Sequence, residues 1–225
     1  MTKIIAIEGI DGSGKTMQFN ALRRYLEEHG KRVLCKEYPV YDGSFFGAEA
    51  GRYLSGSGGV RADTVDGKSM ALWYALDRWE DMQSYRDGEA DYMLINRYVL
   101  SNAVYQSVRD IDLNRPDLVD WVFELEYGHF KLPRADLFVF YDVDTKQAGE
   151  NVLQKGFRGY VGGEATKDVY EASDGIQRRA REKYLETAAR RSDIQVIPCM
   201  ENGVFLSVPV IAERTLEALR ERKLL

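Results

Sequence analysis

The chain has 225 residues, 44% hydrophobic and 30% charged, enough for one compact α/β domain with a full core. Its formal net charge of −5 argues against a dedicated DNA or RNA binder, which carries a basic stripe, but leaves room for an anionic small molecule in a local basic pocket. No apolar run approaches membrane-spanning length and "MTKIIAIEG" lacks a signal-peptide pattern, so the expectation is a cytoplasmic protein without membrane or nucleic-acid partners.

Residues 3–8, an isoleucine-rich run before a glycine, read as a buried strand. Phe19, Leu22, Tyr25 and Leu26 recur at helical spacing and predict a helix over 15–29, with Gly30 as its stop and His29 placed to cap it. A second strand covers 32–35 and runs toward Pro39, a helix follows over 44–54, and "SGSGGVRAD" is a loop. Met70, Trp73, Leu76 and Trp79 form a helical stripe in a long helix over 65–86, with Trp73 and Trp79 expected in the core or on a dimer face. A third strand over 92–95 leads to helices over 99–108 and 116–128. A fourth strand covers 137–141, and a helix 145–153. Residues 156–163 are glycine-rich and basic, which reads as a mobile loop; a helix over 173–191, a strand over 194–198 and a helix over 208–223 complete the chain. Cys35 and Cys199 lack metal or redox spacing and are expected as buried free thiols. His129 has no evident catalytic partner.

Strands alternating with helices imply a five-stranded parallel sheet covered on both faces, a three-layer sandwich in one domain over 1–225. Ligands on such sheets bind beyond the carboxyl ends of the strands, which puts residues 8–16, 37–41, 96–98 and 142–144 on one rim.

Gly9-Ile10-Asp11-Gly12-Ser13-Gly14-Lys15-Thr16 fits G-x-x-x-x-G-K-[ST], the P-loop, between a strand and a helix as that motif requires. Its glycines let backbone N–H groups converge on phosphate, and the helix from Gly14 adds its positive end. Lys15 is placed for the β/γ-phosphates and Thr16 offers a hydroxyl to Mg²⁺. Nucleoside triphosphate binding follows, in an α/β fold of P-loop NTPase type; the reaction does not, because this loop serves many activities.

"IEGIDGSGKTMQ", "EYPVYDGS", "LWYALDRWE", "NRYVLSNAVYQ", "LPRADLFVFYDV" and "KDVYEASDGIQRRAREKYLE" stand in the order and spacing of the thymidylate kinase family, which the chain resembles over residues 3–189. The resemblance implies transfer of the γ-phosphoryl of ATP to dTMP, giving dTDP, with Mg²⁺ and in a homodimer. It implies that Arg97 contacts the acceptor phosphate and the transferred group, that Tyr74 stacks on thymine and that Arg78 bonds its exocyclic oxygen. It places Asn102 near the base, with Ser101 before it on the same helix, Tyr105 beside the sugar, Asp11 near the 3′-hydroxyl and the metal, and Tyr41, with Tyr38, near the acceptor. The alternatives are a kinase for another deoxynucleotide or nucleoside, or a nucleotide-binding homologue of weak turnover.

Several positions depart from the family pattern. Val40 stands where many relatives carry an arginine after the proline, so one phosphate contact is missing. The P-loop lacks the arginine some relatives have, and the expected cationic help comes from a lid at about 155–170, with Arg158 as the first candidate and Lys155 and Lys167 behind it. Val169 replaces another usual arginine. Asn96 replaces the aspartate of Asp-Arg-Tyr; it keeps an acceptor oxygen for metal-bound water but loses the charge, so Asn96→Asp is expected to raise turnover or lower the Mg²⁺ requirement. Gln106 either joins the site or caps a polar face. Asp142 ends a strand in a Walker-B-like place and is a further candidate for the metal's outer shell, although "DVD" more often caps the following helix.

Overall fold

The computed structural model describes residues 1–57, 59, 61–154 and 174–225. Five strands, β1 (Lys3–Glu8), β2 (Val33–Glu37), β3 (Tyr92–Asn96), β4 (Leu137–Asp142) and β5 (Ile194–Pro198), form one parallel sheet in the order β2-β3-β1-β4-β5. Isoleucine, valine and phenylalanine fill β1 and β4, which with β3 are buried along nearly their whole length, as central parallel strands must be. β2 is the edge and is half-exposed. Cys35, on that edge, is therefore half-buried rather than buried as expected; Cys199 is buried, which pushes its thiol up to about 12.

The helices are α1 (Lys15–Glu28), α2 (Phe45–Ser55), α3 (Gly67–Met82), α4 (Val99–Asp112), α5 (Val119–Phe123), α6 (Thr145–Gln154), α7 (Asp174–Arg190) and α8 (Val208–Glu221). They form two groups, α1 with α8 and α3 with α4 and α7. β2 and β3 lie on one side of β1 and β4 and β5 on the other, so the chain reverses its direction of winding at β1 and a crevice opens there.

Three elements differ from expectation. The helix expected over 65–86 is shorter: it starts at Gly67, where Asp66 caps it through the Ser69 N–H after a 3₁₀ turn, Ala62–Thr64, and it ends at Met82. The helix expected over 116–128 splits into α5 and a π turn, Glu124–His129; the wider turn is a local irregularity of the kind that often marks functional segments. A small hairpin, β6 (Met200–Glu201) and β7 (Val204–Phe205), follows β5, turned by Asn202 and Gly203 at φ 50° and 76°. The expected lid at 155–170, with Lys155, Arg158, Lys167 and Val169, lies outside the described residues. Among the described residues no helix is long and apolar enough to cross a membrane.

Candidate active site

A cleft of about 400 Å³ opens at the carboxyl ends of β1, β2 and β3. Along it stand Asp11, Gly12, Gly14, Lys15 and Thr16 from the P-loop, and Asn96, Arg97, Ser101, Asn102 and Tyr105 from the end of β3 and from α4. Tyr38 and Tyr41 after β2, Tyr74 and Arg78 on α3, and Gln106 complete much of the wall. Gly9 and Ser13, expected at the phosphates, are not part of that wall: Ser13 is 1% exposed and its hydroxyl lies against Gly9.

The end of the cleft beside Lys15 is built by the loop. Gly12 and Gly14 have φ of 80° and 83°, and a Cβ on Gly12 would sit 2.0 Å from the Ala148 carbonyl oxygen, so only glycine lets the loop lie against α6. Asn151 of α6 donates to the Gly12 carbonyl at 2.9 Å. No side chain caps the start of α1. The Lys15 amine folds back on the loop, donating to the carbonyls of Gly9 at 2.9 Å and Ile10 at 2.7 Å.

Arg97 follows β3 with a φ of 63°, a left-handed conformation that costs a non-glycine residue roughly 1 kcal/mol and recurs at functional sites. Its N–H bonds the Ile7 carbonyl at 3.0 Å, and its guanidinium pairs with Asp11, reaches Ser101 at 3.4 Å and lies 5.6 Å from the centre of the Tyr105 ring. Burial opposes its charge, but Asp11 outweighs that and holds it protonated. Asp11 is also bound by Gln177 of α7, which donates to Oδ2 at 3.0 Å and accepts from the Asp11 N–H at 3.2 Å and the Tyr105 hydroxyl at 3.0 Å. Gln177 belongs to the quoted "SDGIQRR" segment, yet nothing in its spacing singles it out.

Ser101 lines the cleft, but its hydroxyl is engaged from below: it donates to Glu8 and bonds the Tyr184 hydroxyl at 2.9 Å. Glu8 is fully buried, and desolvation raises its pKa although Ser101, the Tyr98 N–H, Arg97 and Tyr184 all pull it down.

At the other end, Arg78 is 2% exposed and makes a bidentate pair with Glu126 of the π turn, Nε to Oε2 at 2.7 Å and Nη2 to Oε1 at 2.6 Å. Burial works against this guanidinium; Glu126 more than compensates, and its pKa moves up. Nη1 bonds no other described residue. Asn102 donates through Nδ2 to Glu126 Oε1 at 2.8 Å and to the Ala71 carbonyl at 3.1 Å, leaving its buried Oδ1 unpartnered. Glu126 was not singled out from the sequence, where it reads as one more acid in a helix. Tyr74, one turn before Arg78, is buried and belongs both to the core and to the cleft wall. Tyr38 is 2% exposed, with its hydroxyl on Asp81 at 2.5 Å.

Val40, where a basic residue was missed, uses its N–H on Asp77 at 3.0 Å. Gln106 lines the cleft and accepts from Arg109 at 2.6 Å. Asp142 lies outside the cleft in a bidentate pair with Arg181 at 2.5 and 3.0 Å, and Asp144 caps α6 through the Lys146 N–H at 2.9 Å. His29 meets the Tyr25 carbonyl at 2.7 Å, as a cap would, and His129 stands 3.9 Å from Glu124. Trp73 packs against the core, while Trp79 is 38% exposed.

A parallel sheet carrying a P-loop is shared by many kinases, and comparison with known proteins decides among them. The thymidylate kinase family model matches residues 7–202. The chain belongs to the thymidylate kinase family. The thymidylate kinase of Mycobacterium tuberculosis is 31% identical over 189 residues, 83% of this chain and 86% of that one. A probable thymidylate kinase of Pyrococcus horikoshii is 25% identical over 201 residues, 88% of each. A solved structure of thymidylate kinase from Candida albicans superposes with a TM-score of 0.73 over 99% of this chain and 92% of that one; at 19% identity it supports the fold alone. This family member is thus a kinase with the α/β P-loop architecture expected.

Proposed function

We propose that the cleft transfers the γ-phosphoryl group of ATP to dTMP, giving dTDP, with ATP phosphates on the P-loop and the pyrimidine between Tyr74 and Asn102. The observation that carries the reading is the hydrogen-bond pattern at the base end. Glu126 and the Ala71 carbonyl consume both useful directions of the Asn102 amino group, so Asn102 presents an acceptor, while Arg78 presents its Nη1 donor. A keto pyrimidine offers the complement, a carbonyl at C4 and an N–H at N3. Cytosine offers the reverse, an amino group and a bare nitrogen, and would leave buried groups unpaired.

Phosphoryl transfer is mainly positioning and charge neutralisation. Lys15 leaves the Gly9 and Ile10 carbonyls for phosphate oxygens, and Arg97, set between the P-loop and the base, forks onto the acceptor phosphate and the group in flight. Ser101 acts on the acceptor by holding Arg97, Tyr105 flanks the sugar, and Tyr41 closes the wall near it. Arg158 remains the proposed further cation. Hard oxygens suit Mg²⁺: Thr16 would hold it, with the unpartnered Asn96 Oδ1 taking bound water, and it would supply neutralisation of phosphate charge. Asp11, named with them, already gives both oxygens to Arg97 and Gln177. A homodimer is part of the same reading, and sedimentation equilibrium checks it.

The test is coupled ADP release with dTMP, dUMP, dCMP, dGMP and thymidine across a Mg²⁺ titration. The expected result is turnover of dTMP and dUMP and poor turnover of dCMP. Tight binding of ATP and dTMP with no turnover of any acceptor would sink the enzyme reading.

A further inference from the structure

Among the described residues two carboxylates line the cleft, Asp11 and Glu37. Asp11 is committed to Arg97 and Gln177. Glu37 is exposed and pairs with no cation among the described residues; its neighbour Lys36 turns to Asp81 at 2.9 Å instead. What Glu37 does have is Asn96, whose Nδ2 donates to its Oε1 at 2.7 Å. The sheet dictates the pairing. Glu37 and Asn96 are register partners at the carboxyl ends of β2 and β3, so their side chains stand side by side on one face. That bond also fixes the amide: with nitrogen toward Glu37, the remaining polar atom of Asn96 is Oδ1, which is buried without a partner on a residue 5% exposed.

An uncompensated carboxylate repels the phosphates that enter beside it unless a cation stands between them. A hard divalent ion that takes most of its ligands from phosphates and water needs one or two protein oxygens besides. Glu37 and the orphaned Asn96 oxygen supply that kind of donor, in the same cleft as Arg97 and Thr16.

We propose that Glu37, held by Asn96 as a positioning residue, is the carboxylate through which this chain keeps a divalent cation at the acceptor phosphate. The charge absent at position 96 is thereby supplied from the neighbouring strand. The proposal rests on the phosphoryl-transfer reading and adds a residue to it. It also reverses the expectation for Asn96→Asp, since a second carboxylate there removes the donated hydrogen bond and sets two negative charges side by side.

The experiment follows Mn²⁺ by electron paramagnetic resonance in the complex with dTMP and a non-hydrolysable ATP analogue, for wild type, Glu37→Gln, Asn96→Asp and the double variant. Glu37→Gln is expected to weaken Mn²⁺ binding about tenfold. With EDTA present, the same variant is expected to bind dTMP more tightly than wild type, because the repulsion is gone, an inversion that a merely structural role does not produce. Asn96→Asp alone brings no gain, and Glu37→Gln with Asn96→Asp, which exchanges acid and amide, recovers affinity to within about threefold of wild type. Unchanged Mn²⁺ affinity in Glu37→Gln overturns the proposal. So does faster turnover of thymidine than of dTMP that Glu37→Gln abolishes, which would make Glu37 a base for a 5′-hydroxyl. Should a variant fail to fold, wild type answers: Mn²⁺ must broaden the Asn96 side-chain amide resonances, and sharp signals overturn the proposal. If wild type binds Mn²⁺ as described yet never phosphorylates dTMP, the reaction reading falls and the cation site stands.

Discussion

The two ends of the cleft solve different problems. At the base end, Arg78, Glu126 and Asn102 are almost wholly buried and locked to one another before any ligand arrives. At the phosphate end, Lys15 and Arg97 are parked on partners that can be exchanged, loop carbonyls for one and Asp11 for the other. On the proposed reading of the cleft, the contrast follows from the ligand's chemistry. A neutral base is told from its rivals only by fixed donors and acceptors in a dry place, where a mismatch leaves a group unpaired. Phosphate charge is strong enough to displace weaker partners, so its cations can wait in bonds that give way. Specificity is preorganised, and charge is held in reserve.

The hardest blow to the base end is Glu126→Ala. It strands the Arg78 guanidinium in the core and frees the Asn102 amide to turn over. Breaking a buried pair by removing one partner costs about 3–5 kcal/mol, so urea unfolding should show a loss of that order. Wherever the variant still folds, preference for dTMP over dCMP should fall as well, because the acceptor is no longer fixed. Intact stability with intact preference would show that the pair neither supports the fold nor sets the pattern.

Lys15→Ala attacks the phosphate end and should behave oppositely. Its bonds to described residues are to carbonyls of its own loop, so unfolding free energy should move less than in Glu126→Ala, whereas kcat should fall about 10²–10³-fold through loss of a transition-state cation. A Lys15→Ala enzyme that unfolds like Glu126→Ala, or turns over like wild type, would erase the distinction between the two ends.

The two ends were also unequally legible in the sequence. The phosphate end is local: Gly9 to Thr16 is one contiguous motif, and Arg97 stands just after an apolar strand, on the rim where ligands bind. The sheet and its helices were legible for the same reason, because period and punctuation are short-range signals. The partners that fix the site are not local. Glu126 reaches Arg78 across 48 positions, Gln177 reaches Asp11 across 166, and Glu37 meets Asn96 across 59, so only the fold brings them together. Glu126 could not be distinguished from a surface acid without knowing that the π turn aims it inward. The hairpin after β5 is different: "NG" at 202–203 carries its signal, but two-residue strands are too short for alternation to show.

Gln177→Ala gives a smaller effect and separates the ends more finely. Gln177 ties α7 to Asp11 and Tyr105, and so sets the partner on which Arg97 is parked. Its loss removes hydrogen bonds worth about 1 kcal/mol, which should lower kcat roughly fivefold while the dTMP-to-dCMP preference stays put. A change in that preference instead would mean that the two ends are mechanically joined through Tyr105.

Glu8→Gln should act least, and on stability alone, yet its sign is fixed. Glu8 lies beneath Ser101, and burial raises its pKa above the ordinary 4.5 despite four favourable contacts. Between the unfolded and the raised native value, the folded chain therefore binds more protons than the unfolded one. The Glu8 contribution to stability is greatest below pH 4.5, declines as pH rises through the native pKa and is level above it. Glutamine cannot ionise, still accepts from the Tyr98 N–H, and can donate to Ser101 and Tyr184, whose hydroxyls also accept. The variant should thus gain on wild type as pH climbs from 4.5 through the raised native value. Asp77, also raised by burial, leaves a slope in both proteins, so the readout is their difference in urea-unfolding free energy at each pH. A difference that does not widen with pH would place the ionised carboxylate among the groups the fold needs, and would make Glu8 a second reserve of charge beneath Arg97 rather than part of the core.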